Sequence, residues 1–597
     1  MEQLKDQHVL ILGLGASGLA MARWCARCGA RVTVADTREA PPRLATLRSE
    51  LPAVRFASGP FEAQMLNGSD IRAVFKSPGL TPASVAPLWS TAQALGLWVG
   101  SELDLFARAL ADMKMAAPAP GVLSAPVEAA EALEVAVQNV VSEHPIDALP
   151  DDEDEATFIP VLVPVPETPA GYAPKILAVT GTNGKTTVTS LTGQLVARAG
   201  KSVAVAGNIG PTLLDTLTEK LDAGELPEVW VLELSSFQLD GAREFEPTAA
   251  VVLNLTQDHL DWHGSMEAYG AAKARIFGSK GLMVLNREDA AVMAMLPPPA
   301  KGKAFQAGVV REHLTFGADM PQRPGDFGIE QVNGMAWLVR AQEADETRRK
   351  RKRSAAGPSQ GARAPSGGSA AHEVASVGAL YSDEEEELNI QRLMPADALR
   401  IRGRHNATNA LAALALAQAA GCGLGPILYG LREYRGEPHR VESVAVVDGV
   451  EYFDDSKGTN VGATMAALRG LGEEAGDPGS ANAQRKLVVI LGGDGKGQNF
   501  TPLADPLARY ARAAVLIGRD APAIRAALQG SSVPLLDAKS MAQAVALARE
   551  QAHEGDAVLM SPACASFDMF NNYEHRAQVF REEVTAQTLD AEAGAKS

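Results

Sequence analysis

Short apolar runs recur along the chain. Each ends in a glycine or polar loop, and a stretch with helical spacing follows. Residues 8–15 (HVLILGLG), 31–36 (RVTVAD) and 73–76 (AVFK) open the series. Residues 176–180, 203–210, 229–238 and 250–263 continue it, and 452–460, 488–496, 515–519 and 558–566 complete it. Brief apolar runs bounded by turn residues read as buried strands. Strand, polar loop and helix in repetition predict an α/β chain with mostly parallel sheets. Ligands of such sheets gather at the carboxyl ends of the strands, so the polar loops are the first place to look for chemistry.

Two stretches break this pattern. Residues 112–174 are rich in Ala, Pro and Val, with an acidic run at 151–155 and a Pro-rich exit. Within them, 127–141 has the spacing of a short amphipathic helix, with Leu133, Val137, Val140 and Val141 on nearby faces. Residues 342–388 hold a basic run at 348–353, then low-complexity sequence, then acids at 383–387. The basic run has the composition of a nuclear signal or nucleic-acid patch, and equally of a surface loop with self-neutralising ends. The flanking low complexity favours the loop. The first reads as a flexible linker or insertion without a catalytic part, and the second as a disordered insertion. They leave domains at 1–111, 175–436 (interrupted at 342–388) and 437–597.

A length of 597 residues suits about three or four domains, and 46% hydrophobic residues can fill their cores. A net charge of −17 argues against broad binding to nucleic acid or an anionic membrane, yet permits a local basic pocket. Four cysteines are too few for a secreted disulfide scaffold of this size, which points to the cytoplasm. Cys25 and Cys28 form a lone C-x-x-C in a helical stretch, where packing is the simpler reading. No signal-peptide start and no 18-residue apolar run is found.

Candidate chemistry begins with Gly13, Gly15 and Gly18, a G-x-G-x-x-G turn, and Asp36 at the end of the next strand. That unit suits NAD, or another diphosphate such as a UDP-sugar. Ser77-Pro-Gly79 adds a loop beside it. Residues 176–187 (ILAVTGTNGKTT) read as strand, glycine turn and helix start. Such a turn aims backbone N–H groups at a phosphate chain. Val179 takes the first glycine position of the strict phosphate-loop pattern, so an ordinary strand-to-helix turn stays open as an alternative. Lys185 would meet the outer phosphates and Thr186 a Mg²⁺ ion. Glu233 closes an apolar run, which is where a metal-binding carboxylate belongs in such a domain. Asp258, His259 and Asp261 crowd the next strand end. Asn208 sits at a strand-to-loop change. Lys273 lies on a helical pattern and, by composition alone, is a solvated lysine.

The wording of residues 180–186 (TGTNGKT) resembles the ATP loop of the Mur ligases and their folate-ligating relatives. Residues 454–460 (DDSKGTN), 492–496 (GGDGK) and 561–568 (SPACASFD) resemble the branch of that family that adds D-glutamate. The Asp-Asn-Pro-Arg motif of the diaminopimelate- or lysine-adding branch is not found. Gly458 stands where the family often has alanine. The resemblance spans the chain apart from the two insertions. It implies a Rossmann-like N-terminal UDP-binding domain, a central P-loop ATPase-like domain with a mostly parallel sheet, and a Rossmann-like α/β C-terminal domain. It also implies a monomeric cytoplasmic enzyme of peptidoglycan precursor synthesis. That enzyme would use ATP and Mg²⁺ to join D-glutamate to UDP-N-acetylmuramoyl-L-alanine through an acyl phosphate.

The same resemblance assigns residues. Ala16, Ser17, Asp36, Thr37, Arg38, Ser77 and Gly79 would hold the UDP end, and Asn208 the reacting end of that substrate. ATP would lie on Gly181, Thr182, Asn183, Gly184, Lys185, Thr186, Thr187, Asn406, Asn409, His439, Arg440 and Asp455. Lys185, Glu233, His259 and Lys273 would be catalytic. Thr186, Glu233, His259 and a carbamylated Lys273 would hold Mg²⁺. Lys457, Thr459, Lys496, Ser566 and Tyr573 would receive D-glutamate. An NAD oxidoreductase would explain residues 13–36 and leave the rest without a role. A folylpolyglutamate-type ligase lacks such an N-terminal domain. A non-catalytic UDP-sugar binder has no use for Lys185, Glu233, His259 and Lys273.

Overall fold

The computed structural model describes residues 2–115, 171–298, 311–343, 388–474 and 485–594. The possible helix at 127–141, the acidic run at 151–155 and the basic run at 348–353 lie outside the described residues. The chain packs into two compact units, Met1–Pro174 with Thr212–Glu228, and Lys175–Pro211 with Val229–Ser597.

The first unit holds a five-stranded parallel sheet in the order β3-β2-β1-β4-β5. Its strands are β1 (His8–Leu12), β2 (Arg31–Asp36), β3 (Arg55–Ser58), β4 (Ile71–Lys76) and β5 (Trp98–Ser101). β3 and β5 have four residues each, and β3 has no buried residue, so neither carries an apolar run to betray it. Helix Glu102–Met115 follows and extends past the expected boundary at 111. Helix Leu213–Ala223, expected with the central domain, belongs to this unit. Its Asp215 pairs with Arg23 at 3.0 Å, its Asp222 pairs with Arg27 at 2.7 Å, and the Leu214 N–H donates to Glu102 Oε1 at 3.1 Å.

The second unit holds two sheets. The larger has nine strands in the order β14-β13-β12-β11-β10-β9-β6-β8-β7. β6 (Lys175–Thr180), β7 (Val203–Gly207), β8 (Val229–Glu233), β9 (Ala249–Val252), β10 (Leu282–Asn286) and β11 (His313–Phe316) run parallel. β12 (Phe327–Val332) pairs parallel with β11, then β13 (Met335–Glu343) and β14 (Leu388–Pro395) turn antiparallel. Gln342, Glu343 and Leu388 are paired strand residues, so the second break is shorter than its composition suggested. Helix Arg404–Ala419 lies against helix Lys185–Arg198, and its Ala/Leu run from 410 to 417 is buried throughout. A helix apolar on all sides has to sit inside the fold.

The smaller sheet runs β15-β16-β20-β17-β18-β19. Its strands are β15 (Glu442–Val447), β16 (Val450–Asp454), β17 (Leu487–Gly492), β18 (Ala511–Ile517), β19 (Leu535–Asp537) and β20 (Ala557–Met560). Only the β15–β16 pair is antiparallel. The expectation of mostly parallel α/β sheets holds in all three.

Candidate active site

β6 feeds the loop Gly181–Gly184 and then helix Lys185–Arg198. Gly184 has a φ of +82°, and a Cβ there would lie 2.9 Å from Asn409 Oδ1. Only glycine accepts both conditions cheaply. Asn254, just beyond β9, braces the loop from below. The Asn183 N–H donates to Asn254 Oδ1 at 2.8 Å, and Asn254 Nδ2 donates to the Asn183 carbonyl at 3.1 Å. The Thr256 N–H donates to Thr182 Oγ1 at 3.0 Å.

Two amines converge on one carbonyl. Lys185 Nζ donates to Gly181 O at 3.0 Å and to Thr182 O at 2.8 Å. Lys273 Nζ donates to the same Gly181 O at 2.9 Å and to Thr180 Oγ1 at 3.4 Å. Lys273 is only 1% exposed, which overturns its reading as a solvated residue. Burial, and then the neighbouring charge of Lys185, hold its pKa well below 10.5. Burial also lowers that of Lys185.

The β-register sets Glu233 beside Val179 and Gly207 at the carboxyl end of β8. Asn208 Nδ2 donates to Glu233 Oε1 at 2.9 Å. Oε2 of Glu233 is buried without a partner among the described residues. An orphaned buried carboxylate oxygen calls for a cation or water. Arg440 Nη2 donates to Thr186 Oγ1 at 2.7 Å. His259 starts a short helix at φ +53°, and its ring lies 4.7 Å from that of Phe237. Burial lowers its pKa.

Among the described residues, His439, Glu442 and Asp454 are the acid–histidine group whose ligand atoms all lie within 4.8 Å of one another. Arg581 donates to Glu442 and, at 3.1 Å, to Asp454, so that group is an ion-pair cluster. His439, expected beside the nucleotide, has its Nδ1 2.7 Å from Asp454 Oδ2.

A cavity of about 470 Å³ opens beside the loop. Asn183, Gly184, Thr187, Asn406 and Asn409 line it from the central domain, and Arg440, Asp455 and Lys457 from the third. Asn406 and Asn409 share one side of their helix start, with Asn409 Nδ2 donating to Asn406 Oδ1 at 3.1 Å. Burial pushes the Asp455 carboxyl up to about 7, against the bond it accepts from Ser561 Oγ at 2.6 Å. His405, which no sequence pattern marks, also lines the cavity, and its buried Nδ1 has no partner among the described residues.

Of the expected D-glutamate residues, Lys457 and Tyr573 meet directly, with Nζ 3.6 Å from the ring centre. Backbone bonds between Asp494 and Ala565 set the loops of Lys496 and Ser566 side by side. Thr459 follows Lys457 on the same turn, its N–H donating to Lys457 O at 2.9 Å. Arg576, missed by pattern, braces this region from inside. It donates to Ser456 Oγ and O and to Cys564 O at 2.8–3.0 Å.

In the first unit, Ala16 and Ser17 open helix Ala16–Arg27 directly after the glycine turn. Asp36 accepts from the Leu14 N–H at 2.7 Å and from Arg38 Nε and Nη2 at 2.9 Å each. Burial alone would raise its pKa, but these donors outweigh it and hold it at about 2. Asp36 therefore shapes the turn and orients Arg38. Ser77 Oγ donates to Gly13 O at 2.8 Å, while Thr37 and Gly79 are exposed.

Residues 7–99 match the Mur ligase MurD-like N-terminal domain, 179–319 the Mur ligase middle domain, and 439–564 the Mur ligase glutamate ligase domain. The chain is 61% identical over 584 residues to the UDP-N-acetylmuramoylalanine–D-glutamate ligase of Albidiferax ferrireducens, covering 98% of this chain and 97% of that one. It is 60% identical to the Polaromonas sp. protein of the same name, covering 98% of each. For that of Ralstonia nicotianae the identity is 49%, again with 98% of each covered. With all three domains matched in order and such identity over nearly its whole length, the chain belongs to the Mur ligase family.

Proposed function

We infer that the protein is an ATP-dependent ligase that joins D-glutamate to UDP-N-acetylmuramoyl-L-alanine, in the cytoplasm and as a monomer. The observation that carries the reading is the pairing of Lys185 and Lys273 on Gly181 O, with Glu233 Oε2 unpartnered among the described residues, in one unit with the Lys457–Tyr573 pair. No helix among the described residues is long and apolar enough to cross a membrane.

A carboxylate is a poor electrophile, because oxide would have to leave. The terminal carboxylate oxygen of the UDP substrate attacks the γ-phosphorus of ATP, and ADP leaves with the electron pair of the broken P–O bond. The D-glutamate nitrogen then attacks the carbonyl carbon of the acyl phosphate. The tetrahedral intermediate expels phosphate with its electron pair, and the nitrogen gives up a proton to base. Lys185 leaves its loop carbonyls to meet the outer phosphates. Asn183, Asn406, Asn409, Arg440 and Asp455 seat the nucleotide in the cavity. Ala16, Ser17, Arg38, Thr37, Ser77 and Gly79 hold the UDP end, with Asp36 shaping their loop. Lys457, Thr459, Lys496, Ser566 and Tyr573 orient the amino acid. Such positioning of two anionic reactants supplies most of the rate.

Thr186, Glu233, His259 and a Lys273 carbamate would hold Mg²⁺. The unpartnered Glu233 oxygen fits a hard cation, and the lowered Lys273 pKa favours the neutral amine, the form that adds CO₂. The ion would neutralise phosphate charge when bound.

The test is phosphate release from ATP with UDP-N-acetylmuramoyl-L-alanine, offering D-glutamate, L-glutamate, meso-diaminopimelate and L-alanine separately. Release that requires D-glutamate is expected. Release with another acceptor instead would overturn the assignment of the third domain.

A further inference from the structure

We propose that Asn460 is a positioning residue that locks the amino-acid-receiving turn to the phosphate loop, so that the incoming amine faces the acyl phosphate. The proposal rests on the ligase reading above. Asn460 is 7% exposed and ends the turn that carries Lys457 and Thr459. Its Nδ2 donates to Asn183 Oδ1 at 3.1 Å, and Asn183 Nδ2 donates back to Asn460 Oδ1 at 3.3 Å. Two side-chain amides thus pair reciprocally across 277 residues of sequence. Asn460 Nδ2 also lies 3.5 Å from Asp258 Oδ2.

Neither partner is loose. Asn183 is held through its N–H and its carbonyl by Asn254. The Ala463 N–H donates to Asn460 Oδ1 at 2.9 Å, so Asn460 also caps helix Val461–Glu474. A Cβ on Gly462 would lie 2.8 Å from Thr256 Oγ1 and 3.2 Å from Asn183 Nδ2, so glycine is what permits this close approach. A rigid path therefore runs from the end of β9, through Asn254, Asn183 and Asn460, to Thr459 and Lys457.

The acyl phosphate forms on one end of this path, and the amine is presented from the other. Amide formation needs the two reacting atoms about 3–3.5 Å apart, and a misplacement of about 1 Å can cost roughly 100-fold. Forming the acyl phosphate needs no amine, so it does not depend on this contact.

Asn460→Ser separates the two roles, because serine caps a helix as asparagine does but is too short to reach Asn183. Acyl-phosphate formation is measured without D-glutamate, by borohydride trapping, beside full turnover at saturating D-glutamate. We expect trapping within about twofold of wild type, turnover lower by about 30–100-fold, and a thermal midpoint lower by no more than a few degrees. Asn460→Asp keeps the capping acceptor and loses the donor, and serves as the second variant should the serine form fold poorly. Equal loss in both half-reactions, or full turnover in both variants, would overturn the proposal. A wild-type enzyme that traps no acyl phosphate would instead overturn the mechanism itself and this inference with it.

Discussion

Lys457 makes the acceptor site sensitive to pH. Burial first, then the charge of Arg440, lower its pKa from 10.5 to about 8. The charges of Glu574 and Glu233 limit the shift, and the face of the Tyr573 ring, 3.6 Å away, also favours the ammonium. Only the ammonium can pair with a D-glutamate carboxylate. One unit above that pKa, about a tenth of the free enzyme keeps the charge. kcat/KM for D-glutamate should therefore be halved at about pH 8 and lose about a factor of ten per pH unit above about pH 9 from this group. The substrate amine gains reactivity over the same range, so the useful quantity is the ratio of Lys457→Arg to wild type. Arginine stays charged throughout. That ratio should be nearly level from pH 6.5 to 7.5, climb about fivefold between pH 8 and 9, and climb about tenfold over the next unit. In Tyr573→Leu the climb should begin at lower pH. A ratio level to pH 9.5 would refute the assignment of Lys457 as the carboxylate-binding ammonium. Folding gives an independent check. Between about pH 8 and 10.5 the unfolded chain binds the extra proton, so this lysine makes wild-type stability rise with pH across that window. Thermal midpoints of Lys457→Arg should rise less than those of wild type across that window, because Lys185 and Lys273 keep their own contributions.

Lys185→Ala should abolish phosphate release while calorimetry still detects the UDP substrate; normal turnover would exclude the loop as the ATP site. Lys273→Ala should be inactive and partly restored by formate or acetate. Lys273→Met should be inactive too, yet melt no lower than wild type, because it removes a buried amine without leaving a void. Gly184→Ala places a side chain at φ +82°, costing about 1–2 kcal/mol, and pushes on Asn409. Its KM for ATP should rise about tenfold or more and its midpoint fall by a few degrees; an unchanged KM would show that Asn409 yields freely.

Most strands and the glycine turn after β6 were legible in the sequence, because a buried strand needs a short apolar run and a tight strand-to-helix turn needs glycines. Those demands act between near neighbours, so β6, β8, β9, β17 and β20 announce themselves. β3 and β5 do not, being short and held mainly by their neighbours. Tertiary structure alone decided that helix Leu213–Ala223 joins the first unit, through Arg23, Arg27 and Glu102. It alone buried Lys273 and turned His439 towards Asp454. Asn254 and Arg576 carry no local signature, and the motif that ends in Asn460 does not tell which groups its amide meets. A neutral amide or a lone arginine looks alike on a surface and in a buried network, and only the packing of distant segments supplies the partners that distinguish them.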